Sequence, residues 1–226
     1  MAFHHSPRTV SDGLVYAIDI ANLKSYPGSG TTVNDLMSTD TLAVSNAVIT
    51  TTNPAHISFD GSGDYATLSA AKDPGGEYTF TFWFRGDDFT SAAWGYFCKL
   101  TVGGSYAGFA INEGAGSVAG IDPGEVYYYG GANATVLLTS ALSINTWYNI
   151  AFSCKASTKE VKTYINGALQ TTTTVTDALA SEFTKFGYQD ASHYLKGDMG
   201  NILIYNKQLS DVEVLQNYNA MKVRFE

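Results

Sequence analysis

Between residues 78 and 84 the chain reads Tyr-Thr-Phe-Thr-Phe-Trp-Phe, with Tyr78, Phe80, Phe82 and Phe84 at every second position and Trp83 and the threonines between them. Successive side chains of a strand point to opposite faces, so this alternation predicts a strand with one wholly aromatic face and one mixed face. Such a strand belongs in the middle of a sheet, where the aromatic side meets a core.

A second segment extends the sheet. Tyr148 to Cys154 reads as a strand that turns through Ala156-Ser157-Thr158 into Glu160 to Ile165, which reverses at Asn166-Gly167 into Ala168 to Thr174. A two-residue type I′ turn needs positive φ at both central positions, which Asn-Gly supplies, so the spacing predicts a three-strand antiparallel meander. Further strands are expected at Leu14 to Ile18, on either side of Asp60-Gly61-Ser62-Gly63, and at Phe97 to Thr101, Gly108 to Asn112 and Val126 to Tyr129. Gly103-Gly104 and Gly130-Gly131 supply turns between them. Residues 22–56 read as loop and edge material, rich in Gly, Ser, Thr and Asn. Many short strands with one good helix predict an all-β, two-sheet antiparallel sandwich with a short C-terminal helix. Residues 1–12 read as an extended arm that could lie across a neighbouring subunit, and residues 13–226 as one domain.

The helix start is written at Ser210 and Glu213, the S-x-x-E pattern in which each side chain satisfies an otherwise orphan amide of the first turn. Leu215, Tyr218 and Met221 follow at helical spacing and are expected to pack down, with Gln216, Asn217 and Lys222 facing water.

This closing unit, Gly200-Asn201-Ile202-Leu203-Ile204-Tyr205-Asn206 running into Leu209-Ser210-Asp211, resembles the end of LamG-like, concanavalin A-like jelly-roll domains. The landmarks Gly13 to Asp19, Ile57 to Tyr65, Asn145 to Phe152 and Tyr164 to Gly167 stand in that family's order, so the resemblance covers nearly the whole chain. The wording from Asn22 to Thr32 and the ending Asn217 to Phe225 are similar to single-domain virion proteins of tailed bacteriophages of cyanobacteria and other aquatic bacteria. Two departures, Val33 for an aromatic residue and Met37-Ser38-Thr39 for a Ser-Gly-Asn turn, bear on a surface loop.

Composition narrows the partners. A formal charge of −8 with only 13 Lys and Arg argues against a surface that tracks nucleic-acid phosphates. No run approaches the roughly 18 apolar residues of a membrane helix, and the N-terminus lacks a secretory leader, so assembly in a host cytoplasm is the expectation. Cys98 and Cys154 fall in strand-like runs and read as small buried hydrophobes; spacing alone leaves a disulfide open, which a reducing cytoplasm disfavours.

Retaining glycosidase chemistry needs two carboxylates about 5–5.5 Å apart, which a strand presents as Glu-x-Asp or Glu-x-x-x-Glu. Glu125, Glu160 and Glu182 are isolated, and Asp211 and Glu213 belong to the helix start. Gly114 to Gly120 lacks the Gly-Lys-Ser/Thr ending of a phosphate loop, and His4, His5, His56 and His193 are too scattered for a metal site. No enzymatic activity is expected. LamG-like relatives often hold a structural calcium, for which Asp60, Asp64, Asp190 and Asp198 are candidate ligands, although turn residues whose carboxylates accept backbone amides explain Asp60 and Asp64 more simply.

In Tyr127-Tyr128-Tyr129 at least one ring must point outward, and Tyr128 and Tyr129, with Trp94 in a Gly- and Ala-flanked loop, are candidate contacts for a sugar or a partner. The alternatives are rings that only cover a sheet face and a tryptophan that only anchors its loop. The resemblance implies a non-enzymatic phage virion structural protein, a capsid decoration or a tail or fibre component, multimeric and contacting other virion proteins. The competing expectation is an adhesion module that reads host-surface glycan.

Overall fold

The computed structural model describes residues 7–90, 94–102, 105–114, 118, 120–190 and 192–226. His4-His5, Ser91-Ala92-Ala93, the Gly103-Gly104 turn and part of the Gly114 to Gly120 segment lie outside them.

The aromatic strand is where the alternation puts it. Glu77–Gly86 lies between Trp147–Lys155 and Lys196–Tyr205, antiparallel to both. Beyond Trp147–Lys155 come Glu160–Ile165 and Ala168–Thr174; beyond Lys196–Tyr205 come His56–Asp60 and Val48–Thr50, and Leu14–Ile18 pairs along Lys196–Tyr205. The meander turns at Asn166 and Gly167, whose φ angles of 51° and 77° are both positive, as a type I′ turn requires.

A second sheet packs against the first. Its order is Ala134–Leu138, Val126–Tyr129, Ser105–Asn112, Cys98–Val102, Glu182–Phe186, Tyr65–Lys72, Thr41–Ser45 and Thr32–Asn34, with Trp94–Tyr96 paired onto Ser105–Asn112. All these pairings are antiparallel, so the chain is a two-sheet sandwich with one short C-terminal helix, Asp211–Met221. Val33, the departure noted above, is fully buried.

Phenylalanines from both sheets fill the space between them. Phe80, Phe82 and Phe84 meet Phe97, Phe109, Phe152, Phe183 and Phe186, with the Phe109 and Phe152 rings stacked at 4.2 Å. Each ring removed from water contributes about 1.5–3 kcal/mol, which makes this cluster the main source of cohesion. Cys98 and Cys154 are free thiols in the same core, and burial pushes the Cys98 thiol up to about 12, so it packs as a neutral hydrophobe.

The outer face of the first sheet is covered by the chain's own end. Trp83 stacks on Phe225 with ring centroids 4.4 Å apart and on Tyr218 at 5.8 Å, while Arg224 grips Asp19 through both guanidinium nitrogens. Ser210 and Glu213 form the expected capping box. The helix face differs from the expectation: Val214 and Asn217 are buried, and Leu215 is 45% exposed. Asn217 goes inward because it brackets the N-terminal segment, accepting from the Val10 amide at 2.8 Å and donating to the Tyr205 hydroxyl, which in turn donates to the Val10 carbonyl. Gln216 holds the Arg8 carbonyl in the same way. From Arg8 to Val10 the arm is therefore fastened to its own helix. No helix among the described residues is long and apolar enough to cross a membrane.

Candidate functional site

With the first sheet capped, an aromatic surface lies on the outer face of the second. Val126–Tyr129 alternates, so Val126 and Tyr128 point into the core while Tyr127 and Tyr129 point out. Tyr128 is fully buried beside Phe109, and its hydroxyl donates to the Ala178 carbonyl and accepts from the Ala180 amide. This corrects its candidacy as a contact residue: its ring is wholly inside the core and its polar tip is already used.

Tyr129 and Trp94 do come together, with centroids 6.1 Å apart. Two cavities share these rings. One, of about 330 Å³, is lined by both and by Tyr106, Gly131, Gln189, Asp190 and His193; the other, of about 390 Å³, adds Val118, Tyr127 and residues 132–134. Trp94 stacks on His193 at 4.5 Å, and His193 is fixed by a 2.6 Å contact between its Nδ1 and Asp190 Oδ1. The Tyr129 hydroxyl donates to the Gly131 carbonyl, leaving the ring as the contact surface.

The wall of the second cavity is tied down by Asp177, which accepts from the Ala132 and Asn133 amides and from the Asn133 side chain; those bonds hold its carboxyl below the usual range. Gln189 is 3% exposed and lines the first cavity, and among the described residues its buried amide nitrogen has no hydrogen-bond partner. A buried amide donor without a partner costs about 1–3 kcal/mol.

Behind Trp94, the Glu113 carboxyl presses against Gly95 and accepts from the Lys196 amide at 2.8 Å. Burial pushes it up to about 8, so it is mostly protonated at neutral pH. Sequence reasoning missed Tyr106, Gln189 and His193 as site residues. Tyr106 is a single exposed ring, 51% open, and the other two come from the stretch around the isolated Tyr188–Tyr194 bridge, which has no strand periodicity to read.

The four aspartates considered as calcium ligands go to three places. Asp60 and Asp64 share one turn, where Asp64 accepts from the Asp60 amide and Asp60 from the Ser62 amide. Asp190 holds His193. Asp198 is fully buried on the first sheet, 2.5 Å from Arg85 and 3.5 Å from His56. Among the described residues no group of three or more His, Cys, Asp or Glu side chains could hold a metal ion.

The fold is shared with structures of very different sequence. The sialidase of Trypanosoma rangeli bound to the inhibitor DANA superposes with a TM-score of 0.70 at 15% identity, covering 99% of this chain and 36% of that one. The same sialidase in complex with sialic acid gives 0.64 at 15% identity, over 93% and 33%. A mutant of HCR/D gives 0.69 at 15% identity, over 96% and 54%. The chain thus spans about a third to a half of these proteins. No curated protein sequence matches it. The expectation of a chain without enzymatic activity is overturned here: structures sharing its fold include sialidases, and enzymes and non-enzymes alike use this fold. The family model Laminin_G_3 matches residues 60–215, more than half of the sequence. The chain belongs to the concanavalin A-like lectin/glucanases superfamily.

Proposed function

We propose that this chain is a glycan-binding module whose contact surface is the Trp94–Tyr129 ridge and the two cavities beside it. The observation that carries the reading is the pair of cavities that share the Trp94 and Tyr129 rings, one of them also walled by Tyr106. Aromatic faces suit the apolar face of a sugar ring. His193, clamped by Asp190, holds the Trp94 ring in place and limits the entropy lost on binding.

The test is binding of the purified protein to an array of bacterial-surface and other glycans, in parallel with Trp94→Ala and Tyr129→Ala. Saturable binding is expected, weakened by about thirty-fold or more in Trp94→Ala, as for a buried aromatic anchor worth about 2 kcal/mol. Binding unchanged in both variants would remove the ridge from the site.

A second reading, a phage virion component held by contacts with copies of itself or with other virion proteins, takes support from the terminal segment. Val212, Leu215 and Val223 are 75%, 45% and 69% exposed there. Sedimentation that becomes faster with concentration, and loses this dependence in Val212→Ser/Val223→Ser, favours it; one unchanging monomer counts against it.

A further inference from the structure

We infer that the glycan carries an anionic group, carboxylate or sulfate, and that Lys99 and Lys185 receive it; this rests on the glycan-binding reading above. The two lysines are direct cross-strand partners on Cys98–Val102 and Glu182–Phe186. Like charges directly opposite one another in a sheet destabilise it, so their pairing calls for a compensating charge.

The protein supplies rings instead. Lys99 Nζ lies 3.7 Å from the centroid of Tyr106 and 5.5 Å from that of Tyr188, and Lys185 Nζ lies 4.3 Å from Tyr65 and 4.5 Å from Tyr188. Among the described residues Lys72, Lys155, Lys196 and Lys207 have carboxylates within 4.0 Å, whereas Lys99 and Lys185 have none, as is also true of Lys24, Lys159, Lys162 and Lys222; what sets Lys99 and Lys185 apart is that they face each other across the sheet. This happens in a chain with 21 acidic residues against 13 basic ones, where carboxylates are plentiful. The acidic group felt by Lys99, Asp190, is already engaged by His193. Burial and Lys185 together push the Lys99 ammonium down, the mark of a positive charge lacking a counter-charge.

Position links this pair to the cavity. Tyr106, over which Lys99 sits, is itself a wall of the cavity shared by Trp94 and Tyr129. A sugar on the ridge with an acidic substituent directed across Tyr106 would meet Lys99, beside which Lys185 stands as its cross-strand partner. Two charge-assisted hydrogen bonds from partly buried donors favour an acidic over a neutral sugar by about tenfold or more.

The experiment uses the full chain on an array with neutral, carboxylated (uronate- and sialate-bearing) and sulfated oligosaccharides, comparing wild type with Lys99→Gln/Lys185→Gln and Trp94→Ala. Acidic ligands are expected to bind best, to weaken about tenfold in the double lysine variant and to weaken as salt rises; the carboxylated and sulfated arms identify the group. The variant loses the lysine–tyrosine contacts as well as the repulsion, so its melting temperature is measured alongside: weakened binding in a variant that still unfolds cooperatively above the assay temperature is lost binding and not lost folding. Neutral-only binding that depends on Trp94, or acidic binding indifferent to the lysine changes, overturns the anionic subsite and leaves the ridge standing. Binding to none of the glycans overturns both.

Discussion

Trp83 joins two packing layers: its strand feeds the phenylalanine core, and its own indole lies under Phe225 and Tyr218. Trp83→Ala is expected to cost about 3–5 kcal/mol, read as a lower urea midpoint with an unchanged m-value. That Trp83 opposes the phenylalanine face was legible from its place in the alternation. What covers it was not, because Phe225 is remote in sequence and follows no pattern. Tyr128 and Tyr129 show the same limit: the alternation says that they face opposite ways, but only the second sheet's position says which is inside. Glu113 gives a prediction in pH. Its folded-state value of about 8 lies above the ordinary 4.5, so between these the folded protein holds a proton that the unfolded chain has lost. Its share of stability is therefore full below about pH 4.5 and falls as pH rises to about 8, by at most about 1.4 kcal/mol per pH unit. In urea titrations, Glu113→Gln should gain on the wild type between pH 5 and pH 8; a gap independent of pH would show that Glu113 is ionised in the folded state.

At the scale of elements, the C-terminal helix closes the first sheet and clasps the arm. Ser210→Ala removes one half of the capping box and is expected to lower stability by about 1 kcal/mol in thermal unfolding. Gly167→Ala should cost more. Its φ of +77° disfavours a Cβ, and that Cβ would stand 2.9 Å from a Leu215 side-chain carbon and 3.1 Å from the Leu215 Cα, driving the hairpin turn against the helix. A Gly167→Ala protein as stable as wild type would mean that the turn and helix do not touch in solution. The turn and the cap were both readable, because each depends on residues adjacent in sequence. The buried face of the helix was misread for the opposite reason: Asn217 is inside to serve Val10, 207 positions away, and polarity alone sends an asparagine outward.

Across the whole molecule, the sandwich was legible from strand number and periodicity, whereas the site was legible only in part. Trp94 and Tyr129 stood out as aromatic residues beside turns. Gln189, His193 and the Lys99–Lys185 pair emerge only when two sheets and an irregular connection are assembled. The molecule's two outer faces then differ, one covered by the chain's own terminus and the other holding the aromatic ridge. Its three tryptophans report on this division, Trp94 on the ridge and Trp83 and Trp147 beneath Phe225. The most direct measurement follows their three indole N–H resonances by NMR while the best-binding glycan is titrated in. The Trp94 resonance is expected to shift and saturate while those of Trp83 and Trp147 stay fixed; saturation at Trp83 or Trp147 with Trp94 unmoved would contradict the placement of the site on the second sheet.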